Sequence, residues 1–354
     1  MLRRDLSARA QRLARTQNLL HDESPGSDPV VIFGRDEQGR HGNFHPASYA
    51  NICANPQWLR RLAKPHTASR RSVARKDWRW MELDSSNSSD ALLMNIFCHP
   101  GVFNGHTLAP SVATLLNVDP TAQPCFGINP GVPLKTIRAT RKTAKRSTQI
   151  IEPTPAAPLS DSEPWTLEPP PAPIDQTLTD RTEIDLQLDN LFLEAKLTET
   201  NFQTAAPRLI ERYRDLETVF DTALLPRKIL LTSNPHPPAE DFSQLEDSTA
   251  TSSFRPERSG AEKPASLPKS SRTVIQGYQL IRNVLAAYAN DASFCVLSDA
   301  RRHDLIETWY GILSAVHSPS FATRLKLLTW QELATTLPKD LLQFLEIKYG
   351  ILPG

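Results

Sequence analysis

Thr182-Glu-Ile-Asp-Leu-Gln-Leu-Asp-Asn-Leu-Phe-Leu-Glu-Ala-Lys196 decides the fold. Two apolar runs flank the pair Asp189-Asn190, residue types that tolerate φ > 0 and so close a tight hairpin. Closing the turn there fixes the register. Leu188 faces Leu191, Leu186 faces Leu193, Asp185 faces Glu194, and Glu183 faces Lys196. Two acids then stand face to face, with a lysine two residues along on the same strand face. Like charges directly opposite in a sheet are destabilising, so a positive partner must offset them, and a divalent cation does so best. The alternative is a Glu183–Lys196 salt bridge across an ordinary sheet.

Working outward, the downstream pattern is regular. Tyr278 to Tyr288 reads as a helix, Ser293–Ser298 as a buried strand, Arg302 to His317 as an amphipathic helix, and Leu325–Thr329 as another strand, with two short helices at the end. Strand, helix and strand in that order predict a crossover onto one sheet. Upstream, Ser88-Ser-Asp-Ala-Leu-Leu-Met-Asn-Ile-Phe97 reads as a helix whose Ser or Asp accepts the free N–H groups of its first turn. Residues 1–20 read as a helix, 21–45 as a polar loop, and 204–223 as one helix carrying Leu209, Tyr213, Leu216 and Phe220 on a stripe. The expected class is α/β, a mixed β-sheet flanked by helices. Two flexible insertions interrupt it. Residues 136–178 include five positive charges in Arg138–Arg146 and eight prolines in Pro153–Pro173, and residues 233–272 are polar. The division expected is a basic N-terminal region, 1–80, and a main domain, 81–354.

The net charge of +1 hides an uneven distribution. Residues 1–150 carry 21 Lys and Arg against 11 Asp and Glu, whereas residues 151–354 carry 19 against 28. A basic half suits a polyanionic partner, and solvated surface helices are the alternative. The segment from Pro56 to Arg79 interleaves Arg60, Arg61, Lys64, Arg70, Arg71, Arg75 and Lys76 with Trp58 and Trp78, and Trp80 follows. Such a strip can grip phosphates and stack bases, or the tryptophans can be core anchors. Arg70, Arg71, Arg75, Lys76, Arg141 and Lys142 are the candidate nucleic-acid contacts.

Other chemistries find little support. The four cysteines form no Cys-x-x-Cys pair, so neither a zinc ribbon nor a redox motif is indicated. Phosphate-cradling glycine motifs and the Gly-x-Ser-x-Gly elbow are missing. No apolar run approaches the roughly 18 residues of a membrane span, and the arginine-rich start lacks the apolar core of a secretory signal. The cytoplasm is the expected location.

Asp185 followed on the next strand by Glu194-Ala-Lys196 resembles the core of the PD-(D/E)XK nuclease superfamily, with Ile184 where the proline of that name would stand. The stretches Ser85–Phe97, Phe126–Leu134, the hairpin, and Tyr278 to the end are also similar to bacterial restriction-endonuclease-like proteins. The resemblance implies a catalytic set of Asp185, Glu194 and Lys196. The two carboxylates and the Ala195 carbonyl would hold Mg²⁺ or Mn²⁺, and Lys196 would help activate water. It further implies an acid from the first helix, for which Asp90 is a candidate with Glu82 and Asp84 nearby, and a glutamine, Gln279, on the later helix. Glu183 is expected to pair with Lys196, and Glu199 and Gln203 to reach the metal or the DNA. The implied function is a metal-dependent DNA endonuclease of restriction or defence type, working as a homodimer if it cuts both strands. The competing class is a non-catalytic nucleic-acid-binding or structural protein on the same fold.

Overall fold

The computed structural model describes residues 2–25, 27–65, 81–135, 178–232 and 270–354. Most of both expected insertions, and all six candidate nucleic-acid contacts (Arg70, Arg71, Arg75, Lys76, Arg141 and Lys142), lie outside the described residues.

The first part of the chain forms α1 (Leu2–Thr16), β1 (His21–Glu23), β2 (Val31–Phe33), α2 (Pro46–Ala54), α3 (Pro56–Leu62), a 3₁₀ turn (Glu82–Asp84), α4 (Ser89–Phe97), α5 (Pro110–Leu116), β3 (Pro124–Ile128) and β4 (Val132–Pro133). The middle part forms β5 (Thr179–Asp180), β6 (Ile184–Leu188), β7 (Leu191–Ala195), β8 (Thr204–Ala205), α6 (Pro207–Ile210), α7 (Leu216–Val219) and β9 (Arg227–Thr232). The last part forms β10 (Ser270–Gln276), α8 (Tyr278–Ala289), β11 (Ser293–Ser298), α9 (His303–Leu313), α10 (Pro319–Ala322), β12 (Leu325–Thr329), α11 (Trp330–Ala334) and α12 (Lys339–Tyr349).

The central sheet has five strands in the order β12-β11-β7-β6-β3. It is mixed: β11 runs parallel to β7 and β12, while β6 runs antiparallel to β7 and β3. The expected hairpin forms with Leu186 opposite Leu193 and Leu188 opposite Leu191, and Asp189 takes φ +51° in its turn. The parallel β11–β12 pair is the predicted crossover, with α9 between its strands. Strand β6 alternates buried and half-buried residues, whereas central β7 is buried along its whole length. One side of the sheet packs Leu186, Leu188, Leu193 and Ala195 against residues of α4, α11 and α12. Phe192, Phe294 and Val296 pack the other side against α8 and α9. The first core also takes in Leu6, Tyr49, Ile52 and Trp58, so the N-terminal segment shares it.

Helix ends follow their sequence signals. The Ser88 hydroxyl accepts the Ala91 N–H at 3.1 Å and starts α4. Thr329 and Glu332 cap α11 reciprocally, and Gly350, with φ +61°, ends α12.

Three sequence expectations are corrected. Residues 21–45 are not a plain loop, because Val31-Ile-Phe33 forms a buried strand paired with His21–Glu23. Residues 204–223 are not one helix. The Lys135 N–H donates to the Arg212 carbonyl at 2.8 Å and the Arg214 N–H to the Pro133 carbonyl at 3.0 Å, so pairing with β4 interrupts the helical run. Finally, β10 starts at Ser270, inside the span read as the second insertion, because 270–276 pairs with β9 and β8. Among the described residues, no helix is long and apolar enough to cross a membrane.

Candidate metal centre

The charged residues of the hairpin meet where β6 begins and β7 ends, near the first turns of α4 and α8. Glu194 is fully buried, and its carboxylate takes three hydrogen bonds. Lys196 Nζ donates to Oε1 at 2.7 Å, Gln279 Nε2 to Oε1 at 2.5 Å, and Asn283 Nδ2 to Oε2 at 2.8 Å. Asn283 in turn accepts the Thr182 hydroxyl at 3.2 Å. The Lys196 backbone is fixed from two sides. Its N–H donates to the Leu297 carbonyl at 2.8 Å, and its carbonyl accepts the Trp330 indole N–H at 2.9 Å.

Asp185 is half-buried, and its Oδ2 accepts the Ala195 N–H at 2.8 Å. The Ala195 carbonyl leaves the strand on the same side, toward β6. Burial, then Glu194 and Asp90, push the Asp185 carboxyl well above the usual carboxylate range. Burial also lifts Glu194, against the pull of Lys196. For Lys196 the balance runs the other way. Burial pulls its amine down, but Glu194, Glu199 and Asp185 outweigh it and hold the amine protonated above its ordinary range. Around Glu194 and Asp185, Lys196 does not cancel the effect of burial and of the neighbouring acids on the two carboxyls.

The closest group of acids is not the pair the hairpin suggested. Asp90, Glu183 and Asp185 each offer a carboxylate oxygen within 4.8 Å of the others. An all-carboxylate set of this size suits a hard divalent cation such as Mg²⁺ or Mn²⁺. Two cationic side chains stand among these acids. Arg61 Nη2 lies 2.6 Å from both Asp90 Oδ2 and Glu183 Oε1. Lys64 Nζ lies 2.7 Å from Glu183, 3.0 Å from Glu82 and 3.9 Å from Asp90. Burial alone would raise the Glu183 carboxyl, but Lys64 and Arg61 hold it below the usual range.

The expected Glu183–Lys196 pair is thus corrected: Glu183 pairs with Lys64 and Arg61, and Lys196 with Glu194. Regular pairing of β6 with β7 ends at Leu186–Leu193. Beyond it the Asp185 side chain takes the Ala195 N–H, and Lys196 turns its backbone to β11, so residues 183 and 196 no longer face each other. Gln279 and Asp90 join the cluster. Glu199 borders it, accepting the Ser89 hydroxyl at 2.6 Å and the Leu197 N–H at 2.7 Å. Gln203 stays out: its side chain is exposed, and its carbonyl accepts the Tyr278 N–H at 3.2 Å at the start of α8. Asn283 was missed, although a polar residue four positions after Gln279 on an apolar helix shares its face. In the sequence, Arg61 and Lys64 show only as part of a basic strip suited to phosphates.

A second cluster, His45, His99 and Asp340, has ligand types but the wrong hydrogen bonding. Both imidazoles accept a backbone N–H at Nδ1, from Ala47 at 3.3 Å and Gly101 at 3.1 Å. Their protons therefore sit on Nε2, the nitrogen that faces Asp340. Metal-ligating histidines show the reverse, donating from the outer nitrogen. The trio ties the α4 end to α12 through the 3.2 Å His99–Asp340 hydrogen bond, with His45 Nε2, at the α2 start, 4.0 Å from the same carboxylate.

The family described as "Restriction Endonuclease associating with ARP" matches residues 21–350. The chain belongs to this family. Neither a curated protein nor a solved structure gives a significant match. Membership in this restriction-endonuclease-associated family extends over the hairpin, both helices that complete the centre, and α3.

Proposed function

We propose that the chain is a metal-dependent nuclease that hydrolyses phosphodiester bonds in DNA, in a restriction or defence role, with the side-chain set of the PD-(D/E)XK superfamily. One observation carries the reading: Asp90, Glu183 and Asp185 converge to within 4.8 Å beside the buried Glu194–Lys196 pair. The family's description supports it. Asp90, Glu183 and Asp185 would hold Mg²⁺ or Mn²⁺, with the Ala195 carbonyl and Glu194 beside them. When bound, the ion supplies fixed positive charge where negative charge develops on the phosphate, and it makes water more acidic.

The chain's own residues do the rest. Lys196 keeps its proton at Nζ, so it acts as a donor that orients water or a phosphate oxygen, not as a base. Glu194 aims that amine, while Gln279 and Asn283 hold Glu194. The Ala195 N–H fixes Asp185 through its Oδ2, and the Asp185 carboxylate stands with those of Asp90 and Glu183. Cutting both strands with one site per chain calls for two copies, hence a homodimer acting in the cytoplasm. The family's description adds an association with ARP.

Plasmid nicking tests the reading. Glu194→Gln should abolish Mg²⁺- or Mn²⁺-dependent nicking and leave DNA binding largely intact; unchanged nicking rejects the centre. A second reading, a non-catalytic DNA-binding scaffold, draws on Arg61 and Lys64, which already neutralise the acids. A folded chain that binds DNA and cuts none with either metal would favour it.

A further inference from the structure

We propose that Arg61 and Lys64 guard the acidic trio, taking the ion's place in the resting protein, so that a divalent cation binds only as the Arg61 guanidinium withdraws. The inference rests on the metal centre proposed above and concerns how that centre is loaded.

The guard occupies the ligands themselves. One nitrogen of Arg61 bridges Asp90 Oδ2 and Glu183 Oε1 at 2.6 Å each, and Lys64 Nζ sits 2.7 Å from the same Glu183 oxygen. A divalent ion on those oxygens would lie at contact distance from a guanidinium that is charged at every relevant pH. The two cannot share the site, and deprotonation offers no escape. Arg61 must move.

The position of Arg61 is also built in. Its side chain is only 11% exposed, on a helix anchored by Trp58, whose indole donates to the Pro124 carbonyl at 3.1 Å. Strand β3 makes room for it. Gly127 has φ +64°, and a Cβ there would fall 2.1 Å from Arg61 Nη1. The guanidinium thus fills a slot that any side chain at position 127 would close.

Withdrawal needs a partner as good as two carboxylates. A phosphodiester backbone is one, since guanidinium binds phosphate and carboxylate through the same two-pronged geometry. Substrate phosphates would draw Arg61 out and admit the metal, so the centre would load where DNA lies and stay closed elsewhere.

Titrating the full-length chain with Mn²⁺ alone, and counting free ion by electron paramagnetic resonance, tests the guard without DNA or activity. Arg61→Gln should bind Mn²⁺ about tenfold tighter than the native chain, the factor one charge-assisted hydrogen bond carries. Lys64→Gln should bind about threefold tighter, as befits a more exposed pair. Thermal melting confirms that each variant is folded. If Arg61→Gln does not fold, the half-exposed Lys64→Gln decides. Variants that bind Mn²⁺ no better than the native chain overturn the guard and leave the metal centre standing. Absence of Mn²⁺ binding by all three chains overturns both.

Discussion

Replacing Asp185 by Asn should raise the stability of the metal-free protein and lower that of the metal-loaded one. Asp185 is half-buried, and its one fixed hydrogen bond, from the Ala195 N–H at 2.8 Å, survives in an amide. Burial, Glu194 and Asp90 together hold its folded pKa well above the unfolded value, despite the pull of Lys196. The sign follows. A carboxyl raised in the folded state favours its neutral form there, so near pH 7.5 the ionised group costs stability, and the cost is relieved as pH falls. Asn carries no charge and removes that cost. Relieving one unfavourable group gives about 1 kcal/mol, which moves Tm by roughly 1–2 °C in a chain of 354 residues. Mn²⁺ acts in the other direction. At a hundredfold excess over its Kd it should stabilise the native chain by about 2.7 kcal/mol, and the variant should gain little of this. Differential scanning calorimetry in EDTA and in Mn²⁺ should therefore show the order of the two melting temperatures reverse. A variant that melts below the native chain in EDTA would show that Asp185 is not held under repulsion. A variant that gains as much from Mn²⁺ as the native chain does would remove Asp185 from the ligand set.

Three further outcomes follow from named contacts. Asn283→Leu removes the donor to Glu194 Oε2 and the acceptor of the Thr182 hydroxyl, both buried, and should cost about 2–4 kcal/mol in urea unfolding; a loss under about 0.5 kcal/mol would show that Glu194 does not depend on it. Gly127→Ala should push the flexible Arg61 tip aside and raise Mn²⁺ affinity while every charge is kept, and it should lower stability by about 1–2 kcal/mol through strain at φ > 0; unchanged affinity would contradict the slot. Burial holds both His45 and His99 below the ordinary 6.5, so the unfolded chain binds more protons there and stability should fall as pH drops through that value; Tm measured from pH 7.5 to 5.5 should show the fall, and His99→Gln should flatten it.

The parts of the fold that could be read from sequence are those fixed by local pattern. The hairpin at Asp189-Asn190, helix α8, and the β11–α9–β12 crossover each follow from spacing within a few residues of one another. The convergence of Glu194 and Lys196 was readable for the same reason, since two residues along a strand share a face. Where distant backbone competes, pattern loses. The stripe from Leu209 to Phe220 is helical in period, but Pro133 and Lys135 take its middle carbonyl and N–H groups into a strand pairing. Extending the hairpin ladder sets Glu183 opposite Lys196, but regular pairing stops three pairs short of it, at Leu186–Leu193. Arg61 reaches Asp90 only because α3 docks on β3 through Trp58, a contact across 66 positions that carries no local signal. Trp58 itself was legible only as one of two options, and it is the core anchor.

The backbone of Lys196 is clamped between the Leu297 carbonyl and the Trp330 indole, groups more than a hundred residues further along the chain. During synthesis the hairpin emerges long before either clamp. Until β11 and α11 have been made and docked, the backbone that carries the amine has neither clamp. A product halted before residue 293 would own every acidic group of the centre, and Gln279 and Asn283 as well, yet lack both clamps on Lys196. Under the nuclease reading proposed above, order of assembly would act as a safeguard, since DNA would meet the centre only in finished molecules.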